Sequence, residues 1–186
     1  IIDKTHFSMA QQDVRYYLNG LLIELDSSKI RAVATDGHRL ALSTSTMEDE
    51  NKNEGGTQVI LPRKGVMELQ RLLDGQNEIK VTLSDNHIQV KFETVSFTSK
   101  LIDGKFPEYG RVIPSNTENK LKANKKDLKD ALSRAAILSN EKYRGIRLII
   151  KTNELIIQAH NPEQEKAEEN IVIEYEGNDI EIGFNV

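Results

Sequence analysis

The chain has 186 residues, of which 38% are hydrophobic and 29% charged, with a formal net charge of -4 and no cysteine. At roughly 150 residues per domain it is one large domain or two small ones, and its longest apolar runs, such as Leu148-Ile149-Ile150, fall far short of the ~18 residues a membrane-spanning helix needs. The lack of cysteine excludes disulfides, a thiolate nucleophile and Cys-ligated zinc, and makes a reducing cytoplasm the simplest setting.

The chain opens on Ile1-Ile2 with neither an initiator Met nor a basic, apolar leader, and is expected to be a fragment with a helix cut off at its start. Apolar, β-branched runs bounded by turn residues predict strands at 21–23 and 30–33, within a three-stranded stretch spanning 20–43. Asp36-Gly37 between apolar strands is a hairpin signal, because Gly tolerates positive φ. Residues 47–56 (MEDENKNEGG) are charged and aperiodic, which predicts a mobile surface loop. A strand at 59–61 precedes a helix at 63–73 with Val66, Leu69, Leu72 and Leu73 on one stripe. Strands follow at 79–81, 88–90 and 95–98, with Ser84-Asp85-Asn86 as the first turn. Turn formers at 114–119 (PSNTEN) place a domain boundary there. A second helix runs from 125 to about 139, with Leu128, Ala131, Leu132, Ala135 and Leu138 at 3.6-residue spacing. Strands at 146–150, 155–158, 171–175 and 180–182 complete the chain.

Val66 and Leu128 hold matching positions 62 residues apart, and each helix is followed by three strands. The fold class is therefore α+β, built from two and a half copies of an αβββ unit.

The net charge hides a segregated distribution. Residues 120–147 hold nine basic against three acidic side chains, a net of +6, whereas 148–186 hold two against nine, a net of -7. Either block is ordinary as a solvated face, but two neighbouring surfaces of opposite sign suggest two different partners.

Catalytic signatures are missing. His6, His38, His87 and His160 are scattered, with no i, i+3 or i+4 pair to hold a metal on one helix face. There is no GxxxxGK[ST], GxGxxG or GxSxG. Asp36, His38 and Arg39 could be imagined in a small hydrolase or transferase, but no nucleophile accompanies them and the turn accounts for Asp36-Gly37.

The stretch from Arg31 to Ala41 (RAVATDGHRLA) closely resembles the signature of the bacterial DNA polymerase III beta subunit, the sliding clamp of replication. The resemblance extends through FSMA at 7–10, DVRYYLNG at 13–20, PRKG at 62–65, FTSKL at 97–101, FPEY at 106–109 with Arg111-Val112, and ILSNEK at 137–142. It covers nearly the whole chain in order, whereas any one of these motifs alone would be weak.

This resemblance implies a ring of two subunits, each of three similar domains, with helices toward a DNA-wide hole, sheets outside and no catalytic activity. Residues 1–115 then correspond to the middle domain with its start truncated and 116–186 to the first half of the last domain, the first domain being absent. A hole that slides along duplex must attract phosphate without fixing it, so scattered Arg and Lys suit it better than base-reading side chains. Gln12, Arg15, Tyr16, Tyr17, Arg63, Lys64 and Arg71 lie toward DNA by resemblance, although core packing is the plainer reading for at least one of the tyrosines. Lys126 and Lys129 are well placed on the second helix. A peptide-docking cleft is implied at Leu18, Thr35, Gly37, His38, Arg39, Leu40, Pro107, Arg111, Val112, Tyr143 and Asn185. It is used in turn by the replicative polymerase, the clamp loader and repair proteins through Leu- and Phe-bearing linear motifs. In the family it is completed by carboxy-terminal residues that have no counterpart up to Val186. Ile137, Leu138, Glu163, Glu165, Glu168 and Glu169 correspond to the face that meets the other subunit. No cofactor, metal or membrane partner is implied, and the location is cytoplasmic.

Overall fold

The computed structural model describes residues 1–47, 56–76, 78–115 and 118–186. Residues 48–55 of the loop expected at 47–56, and 116–117 of the boundary expected at 114–119, lie outside the described residues. The chain divides into two compact units, Ile1–Glu108 and Tyr109–Val186.

The first unit begins with short 3-10 turns, Ile2–Lys4 and His6–Ser8, where the sequence predicts a helix end, and a third at Tyr16–Asn19. Strands β1 (Gly20–Leu25), β2 (Lys29–Thr35), β3 (Leu40–Thr46) and β4 (Thr57–Pro62) form an antiparallel sheet in the order β3-β2-β1-β4. Its central strand pairs on both sides, Leu22 facing Val33 on β2 and Ile60 on β4, which is why Leu21, Leu22 and Ile23 form an unbroken apolar run and all are buried. Helix α1 (Arg63–Leu72) follows, then β5 (Lys80–Leu83), β6 (His87–Phe92) and β7 (Val95–Lys100) in a second sheet, β5-β6-β7. Val66 and Leu69 of α1 are buried among Leu21, Ile23 and Leu61 of the first sheet and Ile88, Val90 and Phe92 of the second. One helix stripe thus seals the core between two sheets.

In the second unit α2 (Lys125–Ala136) precedes β8 (Gly145–Lys151), β9 (Glu154–His160), β10 (Lys166–Val172) and β11 (Ile180–Asn185). The order β10-β9-β8-β11 reproduces the first sheet of the other unit. In both, a fourth strand returns to pair with the first. Ala131 and Ala135 pack on Ile146, Leu155, Ile157 and Ala159. The helix ends at Ala136 rather than near 139. Ile137, Leu138 and Ser139 donate to the carbonyls three residues back, so the last turn tightens out of α geometry. The strand predicted at 171–175 likewise ends at Val172, because Ile173 and Tyr175 exchange backbone bonds with Asn153, and Glu174 pairs with Lys122.

Candidate functional site

Two segments of the first unit meet at the β2–β3 turn. With Leu22 opposite Val33, Leu18 lies two residues before the start of β1 at Gly20, on the side of that turn. The Leu18 side chain is only 2% exposed, so most of it belongs to the core. The turn is held by its own side chains. The Asp36 carboxylate accepts from the amides of His38 at 2.9 Å and Arg39 at 3.0 Å and from Arg39 Nε at 3.1 Å. Thr35 Oγ1 donates to the Arg39 carbonyl at 2.7 Å and accepts from the Gly37 amide at 3.1 Å. Gly37 has φ +90, a backbone state that disfavours side chains. Burial pushes the Asp36 carboxyl up, but the two amides and the Arg39 guanidinium outweigh it, and the net direction is down. His38 and Arg39 are exposed and Leu40 is half-buried, while the Arg39 guanidinium lies 5.9 Å from the Phe7 ring centroid.

The loop before β1 abuts this turn. Asp13 accepts from the Arg15 amide at 2.8 Å, from Nε at 3.0 Å and from Nη2 at 2.8 Å. That guanidinium holds the Asp13 carboxyl down to about 2 and is itself raised in return. Asn19 pins the Asp13 backbone from both sides, accepting its amide at 2.9 Å and donating to its carbonyl at 2.8 Å. Gln12 is exposed with φ 56. Tyr16 is 56% exposed and Tyr17 half-buried, their rings edge-on at 5.8 Å, so neither is swallowed by the core. A Cβ at Gly104 would stand 3.3 Å from the Tyr16 hydroxyl, which brings the segment leading to exposed Pro107 against this loop.

On α1, Lys64 and Arg71 are exposed on the polar side as the spacing predicts. Arg71 is tied to Glu68 at 2.7 Å. Half-buried Arg63 donates to the Met9 carbonyl at 3.5 Å. On α2, Lys126 and Lys129 are exposed, the former paired with Asp130 at 2.8 Å.

The second unit holds the remaining candidates. Arg111 is exposed and Val112 is 68% exposed. Tyr143 and Asn185, 42 residues apart, are brought together by the Asn185 amide donating to the Tyr143 carbonyl at 2.6 Å. Asn140, which the sequence reading passed over, caps this loop by accepting from the amides of Lys142 and Tyr143 at 2.9 Å each. Asp13, Asn19 and Asn140 were all overlooked as positioning residues. The available signal was the Asx habit of bonding backbone two or three residues on.

Ile137 is 78% exposed and Leu138 half-buried. Glu163, Glu165 and Glu168 are exposed on or before edge strand β10, but Glu169 faces α2 and takes Arg134 bidentately at 2.8 and 2.7 Å, which lowers its pKa. The two charge blocks are therefore not separate surfaces. Arg134 with Glu169, Lys122 with Glu174 and Arg147 with Glu181 all join basic to acidic block.

Nothing in the turn supports acid–base chemistry, since Asp36 meets the His38 amide and not its ring. Among the described residues no group of three His, Asp or Glu is placed to hold a metal ion, and no helix is long and apolar enough to cross a membrane.

Residues 1–108 match the family profile described as the DNA polymerase III beta subunit, central domain, and residues 110–186 match its C-terminal domain. The chain belongs to the DNA polymerase III beta subunit family. The beta sliding clamp of Pseudomonas putida is 52% identical over 187 residues, covering 100% of this chain and 50% of its own length. The crystal structure of the DNA polymerase III subunit beta of Pseudomonas aeruginosa superposes with a TM-score of 0.92 at 52% identity, covering 99% of this chain and 50% of that one. A sliding clamp from the same organism bound to griselimycin gives a TM-score of 0.92 at 51% identity over 100% and 50%. The chain thus spans about half the length of the beta subunits it matches, and both of its units align with them.

Proposed function

We propose that this chain is part of a DNA sliding clamp, a non-catalytic cytoplasmic processivity factor that encircles duplex DNA as a two-subunit ring and tethers a polymerase. The observation that carries the reading is the unbroken match of central and C-terminal beta-subunit domains across 1–108 and 110–186, at about half identity to named sliding clamps. The cations Lys64, Arg71, Lys126 and Lys129 are exposed on helix faces, which suits sequence-independent attraction to phosphate. Leu18, the 35–40 turn, Pro107, Arg111, Val112, Tyr143 and Asn185 are assigned to a cleft for Leu- and Phe-bearing linear motifs from the polymerase, the clamp loader and repair proteins. Griselimycin, bound by the Pseudomonas aeruginosa clamp, is proposed to occupy the same cleft. Ile137, Leu138, Glu163, Glu165 and Glu168 are assigned to the ring contact, with Glu169 supporting it through Arg134.

A clamp that holds DNA by topology needs only weak phosphate contacts. The complete gene product carrying this chain should therefore stay on nicked circular DNA after loading and run off once that DNA is linearised. Gel filtration of the two complexes at moderate salt decides it, and equal retention on both forms would mean an ordinary DNA-binding protein.

A further inference from the structure

Arg15 is the most constrained of the cations assigned to DNA. Its fork of Nε and Nη2, the edge that would take a phosphate bidentately, is already occupied by both oxygens of Asp13. Nη2 also reaches the Asp36 carbonyl at 3.4 Å, and the guanidinium lies on the bare backbone of Gly37, where a Cβ would stand 3.2 Å from one terminal nitrogen and 3.3 Å from the other. Asn19 in turn fixes the backbone of Asp13 through paired bonds to its amide and carbonyl, and so sets the position from which the carboxylate reaches Arg15. The result is a relay from the foot of β1, through Asn19, Asp13 and Arg15, to the turn assigned to the peptide cleft. The pair nevertheless remains accessible, the Arg15 side chain being 48% and that of Asp13 22% exposed, so a competing anion can reach it.

We propose that Asp13, seated by Asn19, is a positioning residue that latches Arg15 onto the β2–β3 turn, so that Arg15 braces the peptide side when latched and meets a DNA phosphate only when released. The proposal rests on the clamp reading and deepens it. The partners are a Leu- and Phe-bearing peptide on one side and a duplex phosphate on the other, and one side chain cannot serve both at once. Breaking the latch has opposite signs on the two ligands, whereas simple damage to the loop would weaken both.

The test uses the complete gene product, with griselimycin followed by calorimetry and a fluorescent duplex followed by anisotropy between 50 and 200 mM salt. Asp13→Asn and Asn19→Ala should each weaken griselimycin about two- to tenfold, the scale of one or two lost hydrogen bonds. Each should also steepen the log–log salt dependence of duplex affinity by up to about 0.9, the increment for one added phosphate contact. Asn19→Ala changes no charge, so a shared steepening comes from the freed guanidinium and not from net charge. Adding Arg15→Ala to Asp13→Asn should abolish it. Wild-type griselimycin affinity and salt slope in both single variants, or a shallower slope in either, would overturn the latch. Val112→Asp separates the two levels. If it alone loses griselimycin, the cleft stands and the latch fails, whereas if it binds griselimycin as wild type does, the cleft assignment itself is wrong.

Discussion

Three donors of Arg15 converge on the carboxylate of Asp13, and this set outweighs the opposing desolvation and brings its pKa from an ordinary 3.8 to about 2. A folded value below the unfolded one means the pair's contribution is complete above about 3.8 and is lost as pH falls toward about 2. Proton binding at Asp13 followed by NMR should show a midpoint near 2. In Arg15→Ala that midpoint should move back up toward the ordinary value, since the guanidinium hydrogen bond is the largest cause of the shift. An unchanged midpoint in Arg15→Ala would place the cause elsewhere. The Asx chemistry behind this was present in the sequence as Asp13, Asn19 and Asn140. Its targets were not, because an Asx side chain bonds whichever amide the local turn presents.

Helix α2 begins at a side-chain cap, Asn124 Oδ1 accepting from the amides of Lys126 at 2.9 Å and Asp127 at 3.3 Å. Asn124→Ala should lower stability in urea by about 1 kcal/mol. Helix α1 has Pro62 at the same position and no side-chain cap, so its start depends on packing. Gly65 shows how closely it packs, since a Cβ there would stand 2.9 Å from Ser99 Oγ and 3.0 Å from Leu61 Cδ1. Gly65→Ala gains roughly 0.5–1 kcal/mol of helix preference, yet crowding of this kind costs about 1–3 kcal/mol. A net loss is expected, read as a lower urea midpoint, and a net gain would show that β7 can give way. Both helices were legible from 3.6-residue periodicity, whereas the 3-10 turns at Ile2–Lys4, His6–Ser8 and Tyr16–Asn19 were not, being too short to carry a period.

Across the whole chain the cleft candidates divide between the two units, with Leu18 through Pro107 in the first and Arg111 through Asn185 in the second. Val112 is 68% exposed, so a charge there should spare the fold while spoiling an apolar contact worth about 1.5–3 kcal/mol. Val112→Asp in the complete gene product should weaken griselimycin by at least about tenfold. Unchanged binding with an unchanged melting temperature would overturn the cleft assignment.

Periodicity, turn chemistry and repeat spacing determined the α+β class, both helices and most strands, because each depends on neighbours within a few residues. The matched motifs determined the family, which the 1–108 and 110–186 profiles then identified directly. Tertiary structure decided that β4 and β11 return to pair with β1 and β8, since strand order depends on loop closure and core packing rather than on local pattern. It also decided where the charges go. A net of +6 followed by -7 along the chain gives no warning that Arg134, Lys122 and Arg147 would each meet a carboxylate of the other block. Coulomb attraction acts across the few ångströms that folding creates and not along the contour of the chain.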